Sequence, residues 1–220
     1  MSVNHKALLA TVALIALCLI GAVTYVNLST QTYGAISKAQ FPRGITNSHT
    51  ALQSQTVVSG TSYYITSSNL NLPATLVNGI VVGTRFQWHV CMTKTALGTG
   101  NFEIIIYMGT NGSTGDTAEV TQTIGLQTAV VDTMCVDVDV VFTAVGSGSG
   151  SFFWSMTPIH EAATAAGFGV ATGTTGVFTG TVSSLNTTTA SLIFGLGFNA
   201  TTGSPVITVP TVEAEAFNLD

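Results

Sequence analysis

Polar and apolar positions divide the chain into three stretches. Between Lys6 and Asn27 run twenty residues, ALLATVALIALCLIGAVTYV, in which Thr11 and Thr24 are the polar interruptions and no charge occurs. As a helix, at about 1.5 Å per residue, this run is about 30 Å long, the thickness of a bilayer's hydrocarbon core. The pattern predicts one long hydrophobic helix within residues 1–26. Residues 27–54 turn polar and are punctuated by Gly34, Pro42 and Gly44, so they read as a connector. From 55 to 220 the pattern becomes short β-branched and aromatic runs separated by Gly, Asn, Ser and Thr. The clearest are SYYIT (62–66), GIVVG (79–83), TRFQWHVCM (84–92), NFEIIIYMG (101–109), TMCVDVDVVFTAV (133–145), SFFWSM (151–156), GVFTGTV (176–182), ASLIFGLGF (190–198), and PVITV with VEAEAF between 205 and 217. The expected fold class is all-β, an antiparallel β-sandwich or jelly roll over 55–220 preceded by the helix. A parallel α/β sheet needs crossover helices, and HEAATAAG (160–167) is too short to supply them.

Two runs alternate well enough to assign faces. In TRFQWHVCM, Phe86, Trp88, Val90 and Met92 share one side and Arg85, Gln87, His89 and Cys91 the other. In TMCVDVDVV, Met134, Val136, Val138 and Val140 oppose Cys135, Asp137, Asp139 and Val141. Each polar face thus carries a cysteine. An antiparallel register that pairs Cys91 with Cys135 also pairs His89 with Asp137 and Gln87 with Asp139, placing a charge pair beside two close thiols. A Cα separation well beyond about 7 Å between the cysteines would exclude both this register and a disulfide. Cys18, in the apolar run, reads as a small apolar residue.

Composition sharpens the picture. Only 7% of the 220 residues are charged and 46% are hydrophobic, which excludes a disordered chain. The charges are also sorted: Lys6, Lys38, Arg43, Arg85 and Lys94 precede every acid, and all ten acids lie from Glu103 onward. No clustered basic patch exists to neutralise phosphates, so nucleic acid is not an expected direct partner. Ser and Thr, about a quarter of the chain, must cover the surface instead, and such a surface repels a neighbouring subunit only weakly. Three readings of the apolar N-terminus stay open: a secretory signal peptide, a membrane anchor through residues 7–26, or a helix buried among copies of itself or neighbouring subunits.

The chain carries little that reads as catalytic chemistry. HEAAT (160–164) begins like a zinc-protease motif, but Thr164 replaces the second histidine. His89, Cys91, Cys135, Asp137 and Asp139 include suitable metal ligands, yet a polar sheet face with one ion pair is the plainer reading of such residues on adjacent strands. The glycines of GSGSGS (146–151) and GFGVATG (167–173) come with neither a phosphate-loop lysine nor dinucleotide spacing. GTNGSTGDT (109–117) and ATGTTG (171–176) read as exposed turns, and Trp88 and Trp154 as core rather than as a sugar-stacking surface. Four N-x-S/T sites, at Asn27, Asn111, Asn186 and Asn199, are close to chance in a chain this rich in Ser and Thr. No catalytic residue, cofactor site or metal site is assigned.

From Gly83 onward the chain resembles a known group. The phrases GTRFQWHVCMTKTALGTGNFEIIIYMGTNGSTGDT, VDTMCVDVDVVFTAVGSGSGSFFWSMTPIH and VITVPTVEAEAFNL are similar to those of β-sandwich structural proteins of bacteriophage virions, of the capsid-decoration, head- or vertex-fibre, or tail-appendage type. The resemblance covers most of residues 55–220 and carries no catalytic residue with it. It implies a non-enzymatic virion protein that is attached through its N-terminal helix and uses its β domain for subunit contacts or the particle surface. It also implies a homo-oligomer, with a trimer preferred, and other virion proteins as partners. The competing readings are a pilin-like filament subunit, because Lys6-Ala7 before a long apolar run resembles an archaeal pilin processing junction, and a membrane-anchored surface module that binds carbohydrate or protein.

Overall fold

The computed structural model describes residues 43–49, 53–56, 58–72, 79–160, 167–169, 177–189 and 191–219. The helix expected over residues 1–26, and the ATGTTG turn at 171–176, lie outside the described residues. Twelve strands are present among those described: β1 (Arg43–His49), β2 (Gln53–Thr56), β3 (Ser62–Tyr64), β4 (Leu70–Asn71), β5 (Ile80–Lys94), β6 (Asn101–Gly109), β7 (Thr117–Leu126), β8 (Asp132–Ala144), β9 (Gly150–His160), β10 (Phe178–Leu185), β11 (Ile193–Ala200) and β12 (Val206–Leu219). One turn of 3-10 helix covers Thr66–Ser68. Among the described residues no helix is long and apolar enough to cross a membrane.

All strand pairings are antiparallel and they build two sheets. The larger runs β1-β12-β5-β8-β9-β10, with β2 also on β12, and the smaller runs β3-β11-β6-β7, with β4 also on β11. The all-β sandwich expected from the alternation is the observed architecture. It starts earlier than residue 55, because β1 and the first half of β2 fall within the stretch expected to be a connector, and both strands pair with β12. Two expected pairs of strands are continuous: GIVVG runs into TRFQWHVCM as β5, and PVITV into VEAEAF as β12. β7, TAEVTQTIGL, has no counterpart among the runs singled out from the sequence.

Period-two alternation decides which side chains meet between the sheets. Phe86, Trp88, Val90 and Met92 of β5, Met134 to Phe142 at every second position of β8, and Val212, Ala214 and Ala216 of β12 are buried. From the smaller sheet, Phe102, Ile104 and Ile106 of β6 and Phe194, Leu196 and Phe198 of β11 meet them. The centre is aromatic: Phe194 stacks on Phe86 with ring centroids 4.5 Å apart and meets the edge of Phe142 at 5.7 Å. Both tryptophans belong to this core, as the sequence implied. Trp88 is 2% exposed and donates its indole N–H to the Ser68 carbonyl at 2.7 Å, and Trp154 packs against Gly180 of β10, where a Cβ would lie 2.8 Å from the ring.

The smaller sheet buries part of its other face as well. Ile105 and Tyr107 of β6 are buried on the side away from the sandwich core. There Gly195 and Gly197 of β11 leave room for the rings of Tyr64 and Tyr107, whose centroids lie 5.4 Å apart; a Cβ on Gly195 would collide with the Tyr64 hydroxyl, and one on Gly197 would lie 2.6 Å from the Tyr107 ring. Burial, reinforced by the Asp116 carboxylate, pushes the Tyr64 hydroxyl well above the ordinary phenol range.

Candidate functional site

The outward face of β5, β8, β9 and β12 brings together the residues that alternation assigned to the polar side. β5 and β8 pair Cys91 with Cys135, His89 with Asp137 and Gln87 with Asp139, which is the expected register. The two cysteine Cα atoms are 3.9 Å apart and the sulfurs are joined in a disulfide. On the other side of β5, β12 places Glu213 opposite His89 and Glu215 opposite Gln87. Ser155 and Thr157 of β9 complete the lining of a shallow depression of about 490 Å³.

Most charged groups here are committed to one another. Arg85 grips Asp139 with two parallel hydrogen bonds, Nε to Oδ1 at 2.7 Å and a terminal nitrogen to Oδ2 at 2.5 Å, and this carboxylate raises the Arg85 pKa further above its already high ordinary value. His89 Nδ1 lies 2.5 Å from Asp137 Oδ1. The Asp137 carboxylate accepts from Nδ1–H, which turns Nε2 toward Cys91 Sγ, 3.3 Å away. These pairs are solvent-exposed, so each contributes about 1 kcal/mol to stability at most, and their main effect is to fix side-chain positions.

A second polar cluster lies inside the sandwich and was not anticipated. Lys94 and Asp132 occupy inward positions at the paired ends of β5 and β8 and are 2% and 3% exposed. Lys94 Nζ donates to the carbonyls of Thr95, Thr128 and Val130 at 3.2, 2.9 and 3.0 Å. Asp132 accepts from His160 Nε2 at 2.6 Å and from the backbone N–H groups of Thr133 and Phe168 at 2.9 and 2.8 Å. Desolvation lowers the Lys94 pKa, with the Asp132 charge opposing that shift. His160 is the first residue of the incomplete zinc-protease phrase; it ends β9 and serves this internal network, while residues 161–166 lie outside those described.

The turn at 109–117 is built around one carboxylate. Asp116 accepts the N–H groups of Thr110 and Asn111 on Oδ1, at 3.0 and 2.9 Å, and those of Gly112 and Ser113 on Oδ2, at 2.7 and 3.4 Å. With both oxygens taken by donors, this acid organises the loop and has little left to offer a cation. Asp116→Ala is expected to lower stability by about 2 kcal/mol, because several N–H groups lose a charged acceptor and only some regain water. A urea midpoint shift equivalent to less than about 0.5 kcal/mol would contradict this account. Of the three described N-x-S/T asparagines, Asn111 and Asn186 are exposed, whereas Asn199 is half-buried and donates to Glu103 at 3.0 Å.

No protein-family model matches the sequence, and no curated protein is significantly similar to it. Among solved structures, a lectin from Bauhinia forficata in complex with GalNAc aligns at a TM-score of 0.36 with 7% identity, over 83% of this chain and 95% of the lectin. The VP2 subviral particle of infectious bursal disease virus aligns at 0.28 with 12% identity over 83% of this chain, which spans 42% of the VP2 chain's length. The alginate lyase Aly36B, solved as a double mutant with an alginate trisaccharide, aligns at 0.27 with 11% identity, over 79% of this chain and 98% of the lyase. At such scores no role for this chain follows from any of them.

Proposed function

We propose that this chain is a non-enzymatic structural subunit of a bacteriophage virion, attached to the particle through residues 1–26, with the sandwich forming subunit contacts or the outer surface. The observation that carries the reading is the character of the large sheet's outward face. Four of the six charged side chains that line its depression are engaged with one another, Arg85 with Asp139 and His89 with Asp137, leaving Glu213 and Glu215, and Cys91 is bonded to Cys135. The joined sulfurs offer no thiol nucleophile and Arg85 is tied to Asp139, which favours a fixed contact surface over nucleophilic work. The resemblance of the strand phrases from Gly83 onward supports the phage assignment. The hydroxyl-rich composition supports repeated contact with copies of itself, as a homo-oligomer and by resemblance a trimer, and with other virion proteins. The sorted charge supports a location away from nucleic acid.

Detergent-free sedimentation of native material tests this. The chain is expected to co-migrate with nuclease-protected nucleic acid in discrete virus-sized particles. Recovery in filaments or membranes without protected nucleic acid would overturn the reading in favour of a pilin-like subunit or an anchored surface module. Deleting residues 1–26 is expected to abolish incorporation while circular dichroism still reports a folded β domain. Undiminished incorporation of the truncated chain would remove the attachment role.

A further inference from the structure

The residues around the disulfide carry an inference that goes beyond the virion reading and does not depend on it. Cys91 and Cys135 are held on the outward face by pleat parity and by a register that nine further residue pairs of β5 and β8 share, so both sulfurs stay adjacent when the bond between them is broken. His89 stands two residues before Cys91 on the same face, and its Nε2 already lies 3.3 Å from Cys91 Sγ. A zinc ion bonded at about 2.3 Å to sulfur and about 2.0 Å to nitrogen with a tetrahedral angle holds those two atoms about 3.5 Å apart. The donor atoms of His89, Cys91 and Cys135 all lie within 4.8 Å of one another. Asp137, 2.5 Å from Nδ1, supplies the outer carboxylate that fixes the imidazole's orientation, with Nε2 turned toward the sulfur.

We infer that the reduced chain binds one zinc ion through Cys91 Sγ, Cys135 Sγ and His89 Nε2, with Asp137 as the positioning carboxylate, and that the disulfide is the closed form of this site. The sequence alone favoured a plain polar face at these residues; the orientation of the imidazole changes the balance once the sulfurs are free. A dithiol reductant opens the site: it gives two electrons and two protons to the Cys91–Cys135 bond, which breaks to two thiols, and itself becomes a disulfide. Zinc then displaces both thiol protons to solvent and forms two Zn–S bonds and one Zn–N bond. Two thiolates make soft ligands suited to zinc, and their charge balances that of the ion. His89 is 40% exposed, so the fourth position is open to solvent, and Glu213 across from it adds local attraction for a cation.

The test uses the full-length chain with Cys18→Ala, so that Cys91 and Cys135 are its remaining thiols. After reduction with dithiothreitol and removal of the reductant without air, cobalt(II) is titrated as a spectroscopic probe and then displaced with zinc. One equivalent of cobalt is expected to bind with sulfur-to-cobalt charge-transfer absorption, and zinc to abolish that absorption. The oxidised chain should show neither. Asp137→Asn is expected to weaken zinc binding by about 10- to 100-fold, and His89→Gln by more. Absence of stoichiometric cobalt uptake by the reduced chain would overturn the inference, as would equal uptake by the oxidised chain or unchanged affinity in His89→Gln. Circular dichroism accompanies each titration: a reduced chain that loses its β signal and does not recover it with zinc would overturn it as well, because the site requires the β5–β8 register.

Discussion

Asp132→Ala should destabilise the β domain by about 4 kcal/mol, since removing one partner of a buried charged network leaves the others without compensation. Three donors lose their acceptor at once: His160 Nε2, the Thr133 N–H and the Phe168 N–H. Lys94 also loses the buried negative charge that offsets its own desolvation. The damage extends beyond the ends of β5 and β8, because the Phe168 N–H bond ties residues 167–169 to the sandwich, where Phe168 packs edge-on against Phe102 at 4.8 Å. A urea midpoint corresponding to a loss below about 1 kcal/mol would mean that water reaches the site and the network carries little.

Lys94→Met is the informative companion, because it removes a buried charge and keeps a similar apolar volume. Its loss should be smaller than that of Asp132→Ala. The two variants also differ in pH dependence. Lys94 has a lowered pKa in the folded chain, so the folded state gives up this proton before the unfolded state does. Over the window from that lowered value up to the ordinary lysine pKa of 10.5, the unfolded chain binds more protons and stability rises with pH. Below that window the cost of the buried ammonium is fully present. Lys94→Met should therefore flatten the alkaline part of the stability profile; an unchanged slope there would show that the ammonium is hydrated.

Legibility of the fold followed from how strictly a strand alternates. β5 from Thr84 to Lys94 and β8 from Asp132 to Phe142 bury every second residue, so parity alone assigned Phe86, Trp88, Met134 and Val138 inward, and the coincidence of Cys with Cys and His with Asp selected the register. β7 escaped notice because only Val120 and Ile124 of its ten residues are buried, four positions apart, and two irregularities interrupt its pairing with β6. β1, RGITNSH, pairs through its backbone from within a polar stretch that offers no alternation to read. The buried ion network was present in the pattern but outside the quoted runs. Extending parity two residues past Met92 and before Met134 puts Lys94 and Asp132 on the core side, an anomaly that calls for a partner. What parity could not reveal was the approach of His89 to Cys91, which depends on a rotamer set by Asp137 on the neighbouring strand.

Phe194→Ala should lower stability by about 4 kcal/mol, within the range for truncating a fully buried phenylalanine. Phe194 is 0% exposed and is the point at which the smaller sheet meets the larger: it lies on β11, stacks on Phe86 of β5 and receives the edge of Phe142 of β8, whose own ring meets Phe152 of β9 edge-on at 5.5 Å. Truncation removes the apolar area and leaves a cavity walled by two rigid rings, each on a central strand whose pairing limits collapse into the gap. Phe153 provides the contrast. It lies on β9 one residue from Phe152 but faces outward at 42% exposure, so Phe153→Ala should change stability by no more than about 0.5 kcal/mol. A small loss at Phe194 together with a large one at Phe153 would mean that the β9 face buried in the monomer had been assigned backwards. With the predicted order, any assembly defect of Phe153→Ala can be credited to a lost subunit contact, because its fold is intact.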